Sequence, residues 1–290
     1  MAERNDDSVT VYTVTRALNN NAVSALAHGT DVPVILMGRG IGFGRKSGDQ
    51  IYSDQVQEHY VALGADRIQY LNLLSAIHTD VLTAIGEALE LAEGHLGNLH
   101  PSVYLMLTDH LAFAVERLRS GAVIENPLVN EISAHFPQEF VAAEMVLRYV
   151  NAQLRLELPI DEAAYIALHL RAARTGATVK HPLSQANALA GLTETVLGRL
   201  VTRNEATVSL AARKEVTDHL ARLVTRVEQG QLRSNTAAQS IRRDLSIEYE
   251  IAEWIITHIA PSTDIPKEGR AGETANLAVF LHGWLQDATS

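Results

Sequence analysis

The chain contains the same pattern twice, and this internal repeat limits the folds open to it. Residues 107–121 read LTDHLAFAVERLRSG and residues 216–230 read VTDHLARLVTRVEQG. The two stretches align without a gap at an offset of 109 residues. This spacing is longer than the 20–50-residue periods of solenoid repeats. It predicts a duplicated domain of about a hundred residues, which is an ordinary domain size.

Both repeats have the composition of helices. Ala and Leu are abundant and aromatic residues make up 5% of the chain, which favours helix over sheet. In the first copy Leu107, Leu111 and Leu118 share one helical face, with His110 and Arg117 on its rim. The second copy repeats this face with His219 and Arg226 on the rim. We therefore predict two all-α helical bundles, over residues 67–173 and 186–290, with a linker at 174–185.

The first 66 residues have a different character. Residues 1–8 are expected to be a loose leader, and Val, Thr and Tyr dominate the next ten positions, as in strands. Three consecutive Asn at 19–21 separate this run from the apolar residues 22–26, which indicates a hairpin turn. Residues 32–37 form another strand-like run. A small antiparallel β-sheet is predicted, and because it would bury little core, dimerisation is expected.

A glycine-rich segment, GRGIGFGRKSG, follows at residues 38–48. A dinucleotide fingerprint would have to open a helix, and a P-loop would need Gly-Lys-Ser without the extra Arg45, so both are disfavoured. Two readings stay open: a plain turn between strands, or a turn that presents Arg39 and Phe43 near Arg16 to RNA. Arg contacts phosphates and base edges, and an aromatic ring stacks on unpaired bases.

Histidines recur in both copies. His110 and His219 occupy the same place, and His169 in residues 161–170 has an apparent counterpart in His282 within residues 273–284. The plainest explanation is that each histidine simply lies at the boundary between the core and solvent, with its hydrogen bonds satisfied. No HExxH pattern for a metal is present, and no nucleophile accompanies the histidines. Reversible phosphorylation remains, with Arg117 and Arg226 available to pair with the added charge.

The residues quoted so far resemble the sugar-operon transcriptional antiterminators of the β-glucoside and sucrose type. The resemblance covers about residues 9–285, and its most specific part is MGRGIGF at 37–43 with NNN upstream and KSGD downstream. It implies an RNA-binding coantiterminator domain at residues 1–66, followed by two phosphotransferase-system (PTS) regulation domains. The family's RNA-contact positions match Arg16, Asn21, Gly38, Arg39 and Phe43, and its phosphorylatable histidines match His110, His169, His219 and His282.

The resemblance also implies partners and a mechanism. A homodimer would bind a hairpin in the mRNA leader and prevent formation of a terminator. A sugar-specific PTS transporter component would phosphorylate the first regulatory domain and inactivate the protein, and the general phosphocarrier protein would phosphorylate the second and activate it. The second copy departs from the pattern, because Glu162 stands seven residues before His169 whereas Ala275 stands seven before His282.

Charge and composition restrict the remaining classes. The net charge of −10 argues against coating of nucleic acid by the whole surface, whereas residues 8–52 carry +2. The chain has no Cys and no apolar run of membrane-helix length, so a cytoplasmic protein without membrane insertion is expected. With the resemblance, we expect a regulator without cofactor or enzymatic activity. Three alternatives remain: a DNA-binding activator with a helix-turn-helix, an enzyme that uses the paired histidines, and a constitutive protein with decayed regulatory domains.

Overall fold

The fold is taken from a computed structural model that describes residues 10–29, 33–61, 77–100, 102–200, 208–260 and 265–288. Contacts divide the chain into two units, one made of residues 1–126 and 138–182 and the other of residues 127–137 and 183–290. The first unit combines a small sheet with helices, and the second is helical throughout its described part. Both the predicted sheet and the predicted helical bundles are confirmed.

The sheet has five antiparallel strands in the order β4-β1-β2-β3-β5. The strands are β1 (Val11–Asn19), β2 (Ala22–Ala27), β3 (Pro33–Met37), β4 (Gln50–Tyr52) and β5 (Glu58–Val61). The first three agree with the sequence prediction, and the Asn run forms the turn between β1 and β2. The two edge strands were not predicted, since three or four residues carry too short a pattern to recognise.

Alternation along the strands gives the sheet two apolar faces. One face is the sheet's own core, built from Tyr12, Val14, Val23, Ala25, Val34, Leu36, Ile41 and Ile51. The other face carries Leu18, Ala22, Ile35 and Met37, which are also buried. Ile77 and Leu105, from outside the sheet, pack against this second face. A sheet of this size therefore covers its second apolar face with the helical part of the same unit.

Four longer helices complete the first unit. They are α1 (Thr79–Leu96), α2 (Ser102–Arg119), α4 (Pro137–Leu154) and α5 (Ile160–Thr175). Gly97 ends α1 and Gly176 ends α5, both with positive φ, as is usual for the residue that closes a helix. The first predicted helical bundle, over residues 67–173, is helical from Thr79 onward, and residues 67–76 lie outside the described residues.

The second unit contains α6 (Lys180–Leu200), α7 (Leu210–Glu228), α8 (Ala238–Asp244), α9 (Ser246–Ile259) and α10 (Lys267–Ala288). It also contains the short helix α3 (Val129–His135), which comes from the first repeat and packs against α7. Glu131 of α3 is buried there and bonds Arg213 of α7 at 3.4 Å. The units of folding therefore differ from the predicted domains at 67–173 and 186–290.

Two local predictions need correction. The predicted linker at 174–185 is much shorter, because α5 continues to Thr175 and α6 begins at Lys180. The sequence of the helix around His169 also suggests an Asp cap at Asp161, but Pro159 is the capping residue of α5 and the Asp161 carboxylate accepts a hydrogen bond from the Asn126 N–H. None of the described helices combines the length and apolar character that crossing a bilayer requires.

Candidate RNA-binding face and histidine sites

The Asn turn and the glycine-rich turn are joined by hydrogen bonds. The Asn21 side-chain oxygen accepts from the Gly40 N–H at 2.5 Å, and the Asn21 carbonyl accepts from the Gly38 N–H at 3.0 Å. The Asn20 carbonyl accepts from the Gly42 N–H at 2.8 Å. Asn21 is itself buried. The two turns therefore form one surface whose shape depends on Asn21.

Glycine is required at two positions of this turn for different reasons. A Cβ on Gly38 would lie 2.8 Å from the Gln55 carbonyl oxygen, which is closer than packing allows. Gly40 has φ of +71°, a conformation that other residues adopt only with strain. The segment is thus a turn, as both readings of the sequence require, and Gly38 lets it approach the Gln55 carbonyl closely.

This turn presents the predicted RNA-reading side chains to solvent. Phe43 is 74% exposed and Arg39 is exposed beside it. Both line a cavity of about 390 Å³ together with Asn20, Asn21 and Gly40. The structure therefore brings Asn21, Gly38, Arg39 and Phe43 together. Arg16 does not line this cavity, since its guanidinium donates to the Ile77 carbonyl at 2.7 Å.

The first histidine site is built between α2 and α5. His110 and Arg117 lie seven residues apart on α2, two helical turns on one face, and Glu162 and His169 have the same spacing on α5. His110 Nε2 lies 2.8 Å from Glu162 Oε2, and Arg117 Nη2 donates to Glu162 Oε1 at 2.7 Å. Glu162 is fully buried. The carboxylate therefore holds the histidine and the arginine at fixed positions.

His169 completes this site, with its ring centroid 5.3 Å from that of His110. Burial, and then the charge of His110, lowers the pKa of His169 to about 4. His169 is accordingly neutral at physiological pH. When His110 donates from Nε2 to Glu162, its Nδ1 carries the free electron pair. The site thus places the neutral imidazole of His169 and the imidazole of His110 beside a guanidinium, which is suitable for accepting and holding a phosphoryl group.

The second copy contains a matching carboxylate, but at a position the sequence comparison did not select. Glu273 of α10 is fully buried, and Arg226 binds it with two hydrogen bonds of 2.8 and 2.9 Å. Arg233 adds a third guanidinium contact at 3.1 Å and a backbone N–H at 2.9 Å. Arg226 and Glu273 therefore reproduce Arg117 and Glu162 of the first copy.

This correspondence places Phe280, seven residues after Glu273, in the position of His169. The Phe280 ring stacks on His219 with centroids 3.8 Å apart and planes 14° from parallel. His282, the predicted counterpart of His169, lies two residues further along α10 than Phe280, about 200° around the helix. The second copy has two more residues between α7 and α10 than the first copy has between α2 and α5. A match of His282 with His169 would need four more. The sequence already indicated this shift, because Ala275 rather than Glu stands seven residues before His282. Glu273 stands seven residues before Phe280 and so restores the spacing of Glu162 and His169.

His282 has a different role in the structure. Its Nδ1 lies 2.9 Å from Glu248 Oε1, and its Nε2 lies 2.8 Å from the Gln286 amide. By the same two-residue correction, His282 corresponds to Arg171, which bonds Glu139 at 3.2 Å in the first copy. Glu139 and Glu248 lie at the repeat offset of 109. His282 therefore occupies the place of an ion-pairing arginine.

Electrostatics distinguish the two sites. Burial, followed by the charges of Arg222, Arg226 and Arg233, lowers the pKa of His219 to about 4. His219 Nε2 is buried and has no hydrogen-bond partner among the described residues. Arg233 stands at the repeat position of Ile124, which is buried and apolar in the first copy. The second site therefore has one imidazole and two arginines, and the first has two imidazoles and one arginine.

Two parts of the chain match known protein families. The CAT RNA binding domain family matches residues 12–66, and the PRD domain family matches residues 87–173. The β-glucoside operon antiterminator of Dickeya chrysanthemi is 35% identical over 159 residues, 54% of this chain and 56% of that protein. Transcription antiterminator LicT of Bacillus subtilis is 31% identical over 159 residues, 54% of this chain and 57% of that protein.

Protein GlcT of Staphylococcus aureus is 33% identical over 163 residues, 55% of this chain and 57% of that protein. The alignments thus span little more than half the length of these curated relatives. A solved crystal structure of GlcT CAT-PRDI is 30% identical, with 56% of this chain and 98% of that chain covered and a TM-score of 0.42. Residues 12–66 are therefore a CAT RNA-binding domain and residues 87–173 a PRD domain, and over about half of its length the chain is similar to proteins named as transcription antiterminators.

Proposed function

We propose that this protein is a transcriptional antiterminator whose sheet domain binds a hairpin in an mRNA leader and prevents formation of a terminator. The observation that carries the proposal is the joined Asn and glycine turn, which holds Arg39 and Phe43 exposed on one surface. An exposed ring can stack on an unpaired base, and the adjacent guanidinium can contact phosphate or a base edge. The relatives named as antiterminators support the same assignment.

The test is equilibrium binding of the full chain to a labelled leader hairpin and to duplex DNA of matched length. We expect preference for the hairpin, and Arg39→Ala and Phe43→Ala should each weaken hairpin binding about tenfold or more, since one base–aromatic stack is worth about 1–3 kcal/mol. Arg119→Ala, which removes an exposed arginine from α2, is the matched control. Equal weakening in all three variants, or equal binding to DNA, would contradict a specific RNA site.

Regulation by phosphorylation is the second part of the proposal. His110 and His169 would accept phosphoryl groups from a sugar-specific PTS transporter component, and His219 would accept one from the general phosphocarrier protein. The neutral imidazoles of His169 and His219, in sites that contain Arg117 and Arg226, support this assignment. Phosphorylation of the first PRD would inactivate the protein, and phosphorylation of the second would activate it by favouring a homodimer. Such a protein would act in the cytoplasm, where leader mRNA is made.

The rival functions find less support. A DNA-binding activator would need a helix-turn-helix at the front, where the described residues 10–61 form a five-stranded sheet instead. An enzyme would need a cavity that joins His110 and His169 with a nucleophile. The cavity lined by His169 also contains His100 and Ser102, which bond each other at 2.7 Å at the start of α2, but His110 does not line it. We therefore infer a regulator that accepts phosphate without transforming a substrate.

A further inference from the structure

We propose that the acidic second half of α1 covers the RNA-binding face and competes with RNA for it. This inference rests on the proposed RNA-binding function. It adds that acidic groups of the same chain, negatively charged like the RNA backbone, occupy the RNA-binding face. The competing groups are the carboxylates of Glu90 and Glu93, which line the same cavity as Arg39 and Phe43.

Polar contacts connect the sheet domain to α1, to the residue two before α1, and to α2. The Asn20 amide donates to Glu90 Oε1 at 2.6 Å. The Arg16 guanidinium donates to the carbonyl of Ile77, two residues before α1. The side chain of Asn21 is hydrogen-bonded to Tyr104 of α2. Two of the five predicted RNA-contact residues are thus engaged with the regulatory part of the first unit.

Tyr104 also positions the second carboxylate. Its hydroxyl donates to Glu93 Oε2 at 2.9 Å, and burial followed by this hydrogen bond raises the pKa of Tyr104. The phenol therefore stays protonated and keeps donating to Glu93. A carboxylate held beside Arg39 offers oxygen acceptors and negative charge where an RNA phosphate would supply the same. RNA could bind this face fully only after these carboxylates move away.

An apolar contact accompanies the polar ones. Leu18, Ala22, Ile35 and Met37 lie on the sheet face opposite the sheet's own core, and Ile77 and Leu105 cover them. Separation of α1 and α2 from the sheet would expose this face. Because exposing this apolar face costs free energy, the helices stay packed on the sheet. The hydrogen bonds at Asn20 and Arg16 fix the position of α1 on it. Phe43 and Arg39 stay exposed, so RNA can make a first contact before the helices are displaced.

The experiment is hairpin binding by the full unphosphorylated chain, measured by fluorescence anisotropy. Glu90 is exposed, so Glu90→Ala should fold normally, and loss of its hydrogen bond should tighten hairpin binding about threefold to tenfold. Leu105→Ser, which weakens the apolar contact, should act in the same direction. Glu116→Ala is the matched control, because it removes an exposed carboxylate from α2 outside the contact, and it should change affinity less than about twofold.

The possible results separate the two proposals. Tighter binding in Glu90→Ala and not in Glu116→Ala supports competition by α1. Equal affinities in wild type, Glu90→Ala and Glu116→Ala, with binding still lost in Arg39→Ala, would overturn the competition and leave the RNA-binding function in place. Absence of hairpin binding in every variant, including those with a weakened contact, would overturn the RNA-binding function and the competition together.

Discussion

Single residues set the shape of the RNA-binding turn. Asn21 was expected to contact RNA, and in the structure its buried side chain bonds the Gly40 N–H and Tyr104. Its importance for binding therefore includes holding the turn that presents Arg39 and Phe43. Gly38 acts in a comparable way, since its missing side chain allows the Gln55 carbonyl to approach.

Gly38→Ala should destabilise the sheet. The added Cβ would meet the Gln55 carbonyl oxygen at 2.8 Å, and backbone on both sides would have to shift. We expect a loss of about 1–3 kcal/mol in the free energy of unfolding, the usual cost of overpacking. Calorimetry of the full chain measures this effect.

Gly198→Ala is the matched control for that variant. Gly198 lies within α6, and a Cβ there would meet nothing within 4 Å. The substitution should be neutral or stabilise the protein by up to about 1 kcal/mol, because Ala is the better helix former. Equal destabilisation by both variants would refute the packing argument for Gly38.

At the scale of elements, the register of α10 decides which residues form the second histidine site. Hydrophobic periodicity predicted α10 but could not fix how many residues separate it from α7. The buried pair Arg226–Glu273 fixes that number, because a carboxylate without its arginine would be costly to bury. Phe280 then lies against His219, and His282 lies two residues further along the helix.

This register predicts which histidine of the second unit is phosphorylated. His219→Ala should abolish labelling of residues 208–288 by the general phosphocarrier protein, because His219 carries the imidazole of the site. His282→Ala should retain the label. The measurement is phosphoryl transfer from a labelled phosphocarrier to the full chain, followed by peptide mapping.

His282→Arg provides the control for folding. It restores the arginine found at Arg171, which can pair with Glu248 as Arg171 pairs with Glu139. The variant should fold and accept phosphate like the wild type. Label that persists in His219→Ala but disappears in both His282 variants would refute the corrected pairing.

At the scale of the whole molecule, the two repeats hold the same buried carboxylate differently. Glu162 bonds one arginine and one histidine, and Glu273 bonds two arginines. Burial alone would raise the pKa of Glu273, but hydrogen bonds from Arg226 and Arg233 more than offset this and lower the pKa to about 2.

Glu273 should therefore make the second unit sensitive to acid. A carboxylate with a lowered pKa in the folded state contributes its stability above about pH 4.5, its unfolded value, and loses it as the pH falls towards about 2. The contribution is roughly 2–3 kcal/mol. Both Trp residues, Trp254 and Trp284, lie in the second unit, so Trp fluorescence during denaturant unfolding at several pH values reports on it.

Glu273→Gln should lower stability at neutral pH by about 3 kcal/mol, since two arginines lose their buried partner. It should also flatten the pH dependence between about pH 4.5 and 2. Glu268→Gln, at an exposed position of the same helix, should leave both unchanged. A pH profile for Glu273→Gln that matches the wild type would show that Glu273 does not carry the acid sensitivity.

The sequence predicted the sheet, the helices and the glycine turn because each depends on local periodicity or on residues with special backbone freedom. It did not predict the partners of the site residues. Glu162 drew notice only through its spacing to His169, Tyr104 only shared the apolar spacing of its helix, and Glu93 carried no pattern. These contacts join segments far apart in the chain, and packing alone brings them together.

The short helix α3 shows that the sequence repeats and the folded units have different boundaries. The sequence was duplicated as a block of about 109 residues, yet residues 127–137 of the first block are packed within the second unit. A deletion of the whole first repeat would therefore also take α3 out of the second unit and remove Glu131, the buried partner of Arg213 in α7. The second repeat thus depends for its fold on residues that only the first repeat supplies.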